Sequence, residues 1–397
     1  MNKYQFSKKK YSKSLFHLIK NILTSLNKIT KIKTVLTIKI LLKIIFFLII
    51  LFILHTSKSK ITFTTILTNK KRIGVVSLFH LQNVGNILVK FALFKKLKEF
   101  GLDPVIICQN KFKNVNISFI NRTTILKHIE YFTQLNESDY DYLIVNSDQT
   151  WTYFDKNFFY DIAFLRFAEN WTIPKFIYAA SFGKDKWFYT EEEDKMASRY
   201  LQNFTGISFR EKGTVKLAED HLKLTSKPIF VLDPTLTIDK SYYLNEIKNY
   251  KRDFDFNEKY IFVYQLDRNR ILERTLFESS LKFNYKIYKL ALNENNYIES
   301  FLFGMNISQA VITDSFHGTV FSIIFNKPFL SFLNRNRGKG RFDSLKEVFN
   351  LGDRIVDTNV FYPNINLLLE PLNINRTLLN ELKNYSINYL KKSLNLI

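Results

Sequence analysis

The chain of 397 residues contains one cysteine, Cys108, which excludes a disulfide framework and a thiolate metal cluster and is expected in a buried strand. No acidic residue occurs before Glu99, and residues 1–72 hold 16 of the 58 Lys and Arg. The other 42 basic residues face all 36 acidic ones. Most of the net charge of +22 therefore belongs to the N-terminus, and a chain that coats nucleic acid along its whole length is excluded. Internal repeats, a Walker loop, a GxGxxG fingerprint and His/Glu metal-ligand spacing are also missing, so no metal is expected. Gly and Pro are sparse while Phe, Ile, Asn and Lys are abundant, a bias that reads in part as genomic rather than functional. With 46% apolar and 16% aromatic residues the core is ample, which excludes global disorder, and the length suffices for two domains with an appendage.

Residues 1–71 form that appendage, a basic N-terminal extension. Leu15, Phe16, Ile19, Ile22, Leu23 and Leu26 share one helical face with Lys13, Lys20 and Lys28 around it, a pattern suited to an anionic membrane surface. Thr34 to Leu54 then runs for 21 residues, long enough to span a bilayer. Lys39 and Lys43 interrupt its first half, and such lysines can snorkel to the interface from one end. No small-residue cleavage site follows Leu54, which argues against a signal peptide. Eleven consecutive bulky apolar residues, Ile44 to Leu54, argue against an ordinary soluble helix, so membrane association is the expectation. Nine lysines precede the segment and Lys58, Lys60, Lys70, Lys71 and Arg72 follow it. Positive-inside counting would carry the rest of the chain across, whereas an interfacial anchor would keep both ends on the cytoplasmic side.

Strands and helices alternate over residues 72–247, the expected first α/β domain. Arg72 to Phe79 reads as a strand, Asn86 to Phe100 has helical apolar spacing stopped by Gly101, and Pro104 to Cys108 is the next strand. Such a βαβ unit implies a parallel sheet with a ligand crevice at the strands' C-terminal ends, where His80 and Asn83 stand as binding or merely polar turn residues. Tyr142 to Val145 repeats the pattern and ends in a loop with Asn146, Ser147 and Asp148. Tyr178 to Phe182, Gly206 to Phe209 and Pro228 to Leu232 are further strands. The second of these ends in Arg210 and Glu211, which can clamp a phosphate or carboxylate and hold a carboxylate for proton transfer. A surface ion pair at a helix start is the plainer alternative.

Residues 248–397 are the expected second α/β domain, entered through the polar run Lys248 to Lys259. Lys259 to Leu266, Tyr285 to Leu290 and Gln309 to Thr313 are its strands, and Leu378 to Leu396 a final amphipathic helix. The stretch Ser308 to Phe329 concentrates the chemistry. Its strand gives way at Asp314, Ser315, Phe316, His317 and Gly318 to a buried helix, so unpaired N–H groups can face an anion beside a titratable imidazole. A histidine simply packed at a strand end is the alternative. Downstream, Arg335, Arg337, Lys339 and Arg341 fall within seven residues with two glycines, a flexible basic loop able to wrap a multiply charged anion. A solvated loop is one alternative; a nucleic-acid contact lacks the interleaved aromatics of a stacking platform.

TDSFHGTVFSIIFNKPF from Thr313 resembles the signature of the polysaccharide pyruvyl transferase family. IGVVSLFHLQNVGN from Ile73, DYLIVNSDQTW from Asp141, ISFRE from Ile207, VLDPTLTID from Val231 and NRNRGKGRFDSL from Asn334 resemble further family segments in the same order. Two positions depart from the usual pattern: Val84-Gly85-Asn86 stands where Tyr-Gly-Ala is common, and Asn146 replaces a glycine. Asn tolerates the left-handed conformation such a turn would need. The resemblance implies two Rossmann-like domains facing each other across a cleft, as in the GT-B arrangement. It also implies transfer of pyruvate from phosphoenolpyruvate, as a ketal, onto a sugar of a surface glycan or a lipid-linked precursor. His317 would be the general acid/base, with Asp314 orienting it and Glu211 as second choice. Arg210, Ser315, Gly318, Thr319, Arg335, Arg337, Lys339, His80, Asn83, Ser147 and Asp148 would bind substrate. Phosphoenolpyruvate enters as a substrate, no cofactor is expected, and its cytoplasmic origin places the catalytic domains on the cytoplasmic face of the membrane. A nucleotide-sugar glycosyltransferase using the same cleft, or a decayed glycan-binding protein tethered to the membrane, are the alternatives.

Overall fold

A computed structural model describes residues 70–79, 83–109, 118–152, 156–251, 257–292, 296–357 and 362–397. The expected membrane segment at 34–54 and the candidate His80 lie outside the described residues. Among those described, no helix is long and apolar enough to cross a membrane. Residues 70–397 form one compact unit built on two sheets.

The first sheet has seven strands: β1 Arg72–Val76, β2 Asp103–Gln109, β3 Leu126–Ile129, β4 Tyr142–Val145, β5 Lys175–Ala180, β6 Phe204–Phe209 and β7 Ile229–Phe230. Their order is β3-β2-β1-β4-β5-β6-β7, and every pairing is parallel. The second sheet contains β8 Tyr260–Tyr264, β9 Lys286–Lys289, β10 Ala310–Thr313, β11 Phe329–Phe332 and β12 Ile355–Val356, ordered β12-β11-β10-β8-β9 and again parallel throughout. Parallel strands need crossover helices that cover both faces, which is why β1, β4 and β10 read as continuous apolar runs rather than alternating ones. Strand order reverses between β1 and β4 in one sheet and between β10 and β8 in the other. The loops that leave the C-terminal ends at these switch points are where an open α/β sheet places its ligand.

Five helices carry the rest of the argument: α1 Val84–Glu99, α2 Lys212–His221, α3 Phe316–Phe325, α4 Gly340–Phe349 and α5 Arg376–Ser393. Thirteen of the sixteen residues of α1 are buried, so it has no solvent face and belongs to the core that joins the two sheets. Phe91 on α1 packs against Tyr243 at 5.8 Å between ring centroids, and Tyr243 packs edge-on against Phe321 of α3 at 5.0 Å. The last helix, assigned by sequence to the second domain, returns to the first sheet. There Ser386 Oγ accepts from Leu232 N–H at 2.9 Å and Tyr142 Oη donates to Leu394 O at 2.8 Å.

Candidate functional site

The turn from β10 into α3 is held from behind. Thr313 Oγ1 donates to Tyr264 O on β8 at 2.6 Å and accepts Ser315 N–H at 3.0 Å. A side chain at Gly318 would strike that same Oγ1, its Cβ lying 2.1 Å away, so glycine is required for the helix to sit so close to its strand. Ser315 is the N-cap residue, yet its side chain makes no capping bond. Thr319 is not available to a ligand as expected. Its N–H donates to Ser315 O at 3.0 Å and its hydroxyl pairs with Ser331 Oγ on β11 at 2.6 Å. Helix geometry leaves the N–H groups of Phe316, His317 and Gly318 without an intrahelical acceptor instead.

His317 is buried, but its orienting partner is not Asp314. At the end of β10, Asp314 lies beside the end of β8, where its carboxylate accepts N–H bonds from Leu266 at 2.6 Å and Asp267 at 2.9 Å and a third from Asn334 at 3.2 Å. The loop after β8 thus consumes Asp314, and burial raises its carboxyl above the ordinary range. The carboxylate facing the imidazole belongs to Asp233, after β7, whose Oδ2 lies 3.6 Å from His317 Nε2. Asp233 occurs in one of the segments quoted above but carried no expected role. The opposite ring edge faces α1: a Cβ at Gly85 would lie 1.8 Å from His317 Nδ1, so the imidazole fills the space a side chain there would need.

Arg210 joins these parts. It is fully buried at the end of β6; its Nη1 donates to Asp233 Oδ2 at 2.6 Å and its Nη2 to Asp148 Oδ1 at 3.1 Å, while Nε lies 3.4 Å from Glu211 Oε1. Nη1 also lies 3.5 Å from His317 Nε2 and from Ser147 Oγ, and the guanidinium faces the Phe316 ring at 4.7 Å. Burial alone would lower the guanidinium pKa, but Asp233, Asp148 and Glu211 push it above the usual arginine value. Burial alone would likewise raise Asp233, yet the His317 ring and Arg210 hold its carboxyl well below the carboxylate range. Glu211 goes the other way. Burial raises it and Arg210 only partly offsets that, while Thr214 Oγ1 donates to its Oε2 at 3.0 Å.

Asp148 continues the network into α1. Its φ of 105° is a conformation L-residues rarely adopt; Asn146, where a left-handed turn was anticipated, does not carry it. Asn146 instead accepts the N–H of Ser147 on its own Oδ1 at 2.8 Å. Asn86 Nδ2 donates to Asp148 Oδ2 at 2.7 Å, and Asn86 Oδ1 accepts from Lys90 Nζ at 2.6 Å. Lys90 is fully buried and also donates to Leu78 O at 2.7 Å and Asn86 O at 2.9 Å. Burial lowers its ammonium to about 7, against the pull of Asp148. Asn83 caps α1 by accepting Asn86 N–H at 3.2 Å, a structural duty.

The basic loop is not an open cradle. Arg335 Nη2 donates to Asp357 Oδ1 at 2.9 Å, Arg337 binds Asp267 through both Nε at 2.7 Å and Nη2 at 3.0 Å, and Lys339 pairs with Asp343 at 2.6 Å. The loop is fastened across to the first sheet, where Gln149 Nε2 donates to Arg337 O at 3.1 Å. Gly338, with φ 100°, lies so close to Gly183 O that a Cβ would approach to 2.0 Å. Only Arg341, the loop's last cation, is buried. Among the described residues no group of three or more His, Cys, Asp or Glu is placed to hold a metal ion.

Solved structures similar to this chain in fold include GT-B-like enzymes. The UDP-GlcNAc 2-epimerase of Methanocaldococcus jannaschii aligns over 81% of this chain and 99% of its own, at 12% identity and a TM-score of 0.50. The UDP-GlcNAc 2-epimerase of Neisseria meningitidis, bound to UDP-GlcNAc, aligns over 82% and 99% at 11% identity and a TM-score of 0.48. At such identities the likeness is one of fold. No curated protein matches the sequence. The model of the polysaccharide pyruvyl transferase family matches residues 83–336, from the cap of α1 through the His317 turn to the basic loop; that is more than half of the chain, and the chain belongs to this family.

Proposed function

We propose that this transferase moves pyruvate from phosphoenolpyruvate onto a sugar of a surface polysaccharide or its precursor, forming a ketal. The observation that carries this reading is the buried imidazole of His317, set in the first turn of α3 with its Nε2 facing the Arg210–Asp233 pair. Ketal formation requires a proton at the methylene carbon of the donor, which becomes the methyl group and leaves C2 oxocarbenium-like. Two sugar hydroxyls then bond to C2 while its bond to the phosphate oxygen breaks. Of the two hydroxyl protons, one replaces the proton delivered to carbon and the other leaves on phosphate. His317 supplies and recovers the proton, with Asp233 stabilising the imidazolium that results. Glu211, whose buried carboxyl favours the protonated form, is the second proton donor in reach of the same arginine. Such a group contributes about 10²- to 10⁴-fold in rate.

The test is incubation of the full chain with phosphoenolpyruvate and a panel of sugar acceptors, following phosphate release and the ketal methyl signal by NMR. Parallel melting curves with nucleotide sugars separate the glycosyltransferase alternative. Stabilisation and turnover by a nucleotide sugar, with no response to phosphoenolpyruvate, would overturn the proposal.

A further inference from the structure

The four cations of the loop at 335–341 differ in one respect that their sequence does not show. Arg335, Arg337 and Lys339 are half exposed and each already holds a carboxylate. Arg341 is only 7% exposed, makes no ion pair with any described carboxylate, and leaves its Nε buried with no hydrogen-bond partner. Among the described residues its hydrogen bond runs from Nη2 to Arg337 O, which orients the guanidinium at the start of α4. The guanidinium faces the ring of Phe316 at 5.4 Å, and Phe316 is the first residue of the ten-residue helix α3. Glu211 and Asp148 are near enough to pull on its charge but do not pair with it, and burial together with Arg210 lowers it to about 10. Arg210, Asp233 and Phe316 also line a small, mostly apolar crevice with Ser344 and Val348 of α4; Arg341 is not part of its lining.

A guanidinium buried without a carboxylate costs stability, and such a cost persists where a ligand supplies the missing anion. We propose that Arg341 receives an oxyanion of the donor, its phosphate or its carboxylate, together with the N–H groups of Phe316, His317 and Gly318. The inference rests on the pyruvyl-transfer reading for the identity of the donor, but not for the existence of the anion site. The half-exposed loop cations are each already paired with a carboxylate, and recognition falls to the buried arginine.

The experiment uses the full chain and the variants Arg341→Gln and Arg341→Lys. Inorganic phosphate, pyruvate and phosphoenolpyruvate are titrated separately by calorimetry. Without ligand, Arg341→Gln should melt at or above the wild-type temperature, because it removes an unpaired buried charge. It should bind phosphoenolpyruvate about 10- to 100-fold more weakly, the equivalent of one charge-assisted contact. Arg341→Lys, which keeps charge but loses the fork, should fall between. Whichever of phosphate and pyruvate loses affinity in the Gln variant identifies the group held. A Gln variant that melts well below wild type would make Arg341 a structural residue and overturn the proposal. So would unchanged affinity for all three probes, or a loss seen in Arg337→Ala instead. Phosphate binding that depends on Arg341 in a protein that transfers no pyruvate would support the anion site and overturn only the reaction.

Discussion

Lys90 offers a test of the buried network that does not depend on knowing the substrate. Its ammonium sits fully buried in α1 and donates to three oxygens, none of them a carboxylate. The folded-state pKa is lowered to about 7 from an ordinary 10.5. Between those values the unfolded chain holds a proton that the folded chain has released. Stability must therefore rise with pH across that window, the reverse of the usual behaviour of a paired lysine. Between pH 7 and pH 9 the wild-type protein should gain about 2 kcal/mol of unfolding free energy relative to Lys90→Met, whose position cannot titrate. The substitution also removes one donor from Leu78 O, which keeps its bond from Asn86 Nδ2, and one from Asn86 Oδ1, a fixed cost of about 1–3 kcal/mol. That cost shifts the whole curve without changing its slope, so the difference in slope isolates the ammonium. Cys108, which burial raises to about 11, titrates above the window in the folded protein and does so in both proteins. Urea unfolding at several pH values on the full chain gives the comparison directly. Parallel profiles for the two proteins would refute the reasoning and mean that Lys90 keeps its proton through pH 9.

Three further outcomes follow from the geometry. His317→Gln keeps size and hydrogen-bonding capacity but removes the titratable nitrogen, and should lower turnover by about 10²-fold or more while donor affinity changes far less; weakened affinity with near-normal turnover would make it a phosphate ligand and Glu211 the proton donor. Gly85→Ala places a methyl where the imidazole now sits, so turnover should fall as in His317→Gln while helix propensity at 85 improves; a fully active Gly85→Ala enzyme would mean that the ring works from another position. Arg337→Ala breaks a half-exposed pair with Asp267 and should cost up to about 1 kcal/mol of stability with little change in donor affinity, whereas a donor Michaelis constant raised about tenfold or more would return the loop to the role first expected of it.

What the sequence disclosed and what it hid divide along a physical line. Apolar runs bounded by turns located β1, β2, β4, β6, β8 and β10, because a strand covered on both faces must be apolar along its length. The same logic put His317, Arg210 and Asp148 at strand ends, where parallel sheets collect their ligands. Short strands without such runs escaped: β3, Leu126–Ile129, includes Lys127 and His128, and β12 has two residues. The C-terminal helix was found as a helix, yet its amphipathic pattern says only that one face is buried, not which sheet buries it.

Partners across the two sheets were illegible for a different reason. Asp314 is a near neighbour of His317 in sequence and was the natural choice to orient it. Neighbours at a strand end diverge, however: the strand's last residue meets the adjacent strand's loop while the helix's first turn swings towards the opposite sheet. Asp314 is therefore spent on Leu266 and Asp267, and the carboxylate that meets the imidazole arrives from Asp233 on the other sheet, together with an arginine 107 residues away. Charge in the basic loop was equally visible at all four positions, but burial was not. Four cations in seven residues look alike until the fold pairs three of them with Asp357, Asp267 and Asp343 and carries the fourth under Phe316. A sequence shows how much charge a site has to work with; which charge remains uncompensated is decided only when the two sheets close around it, and among the four cations of this loop that residue is Arg341.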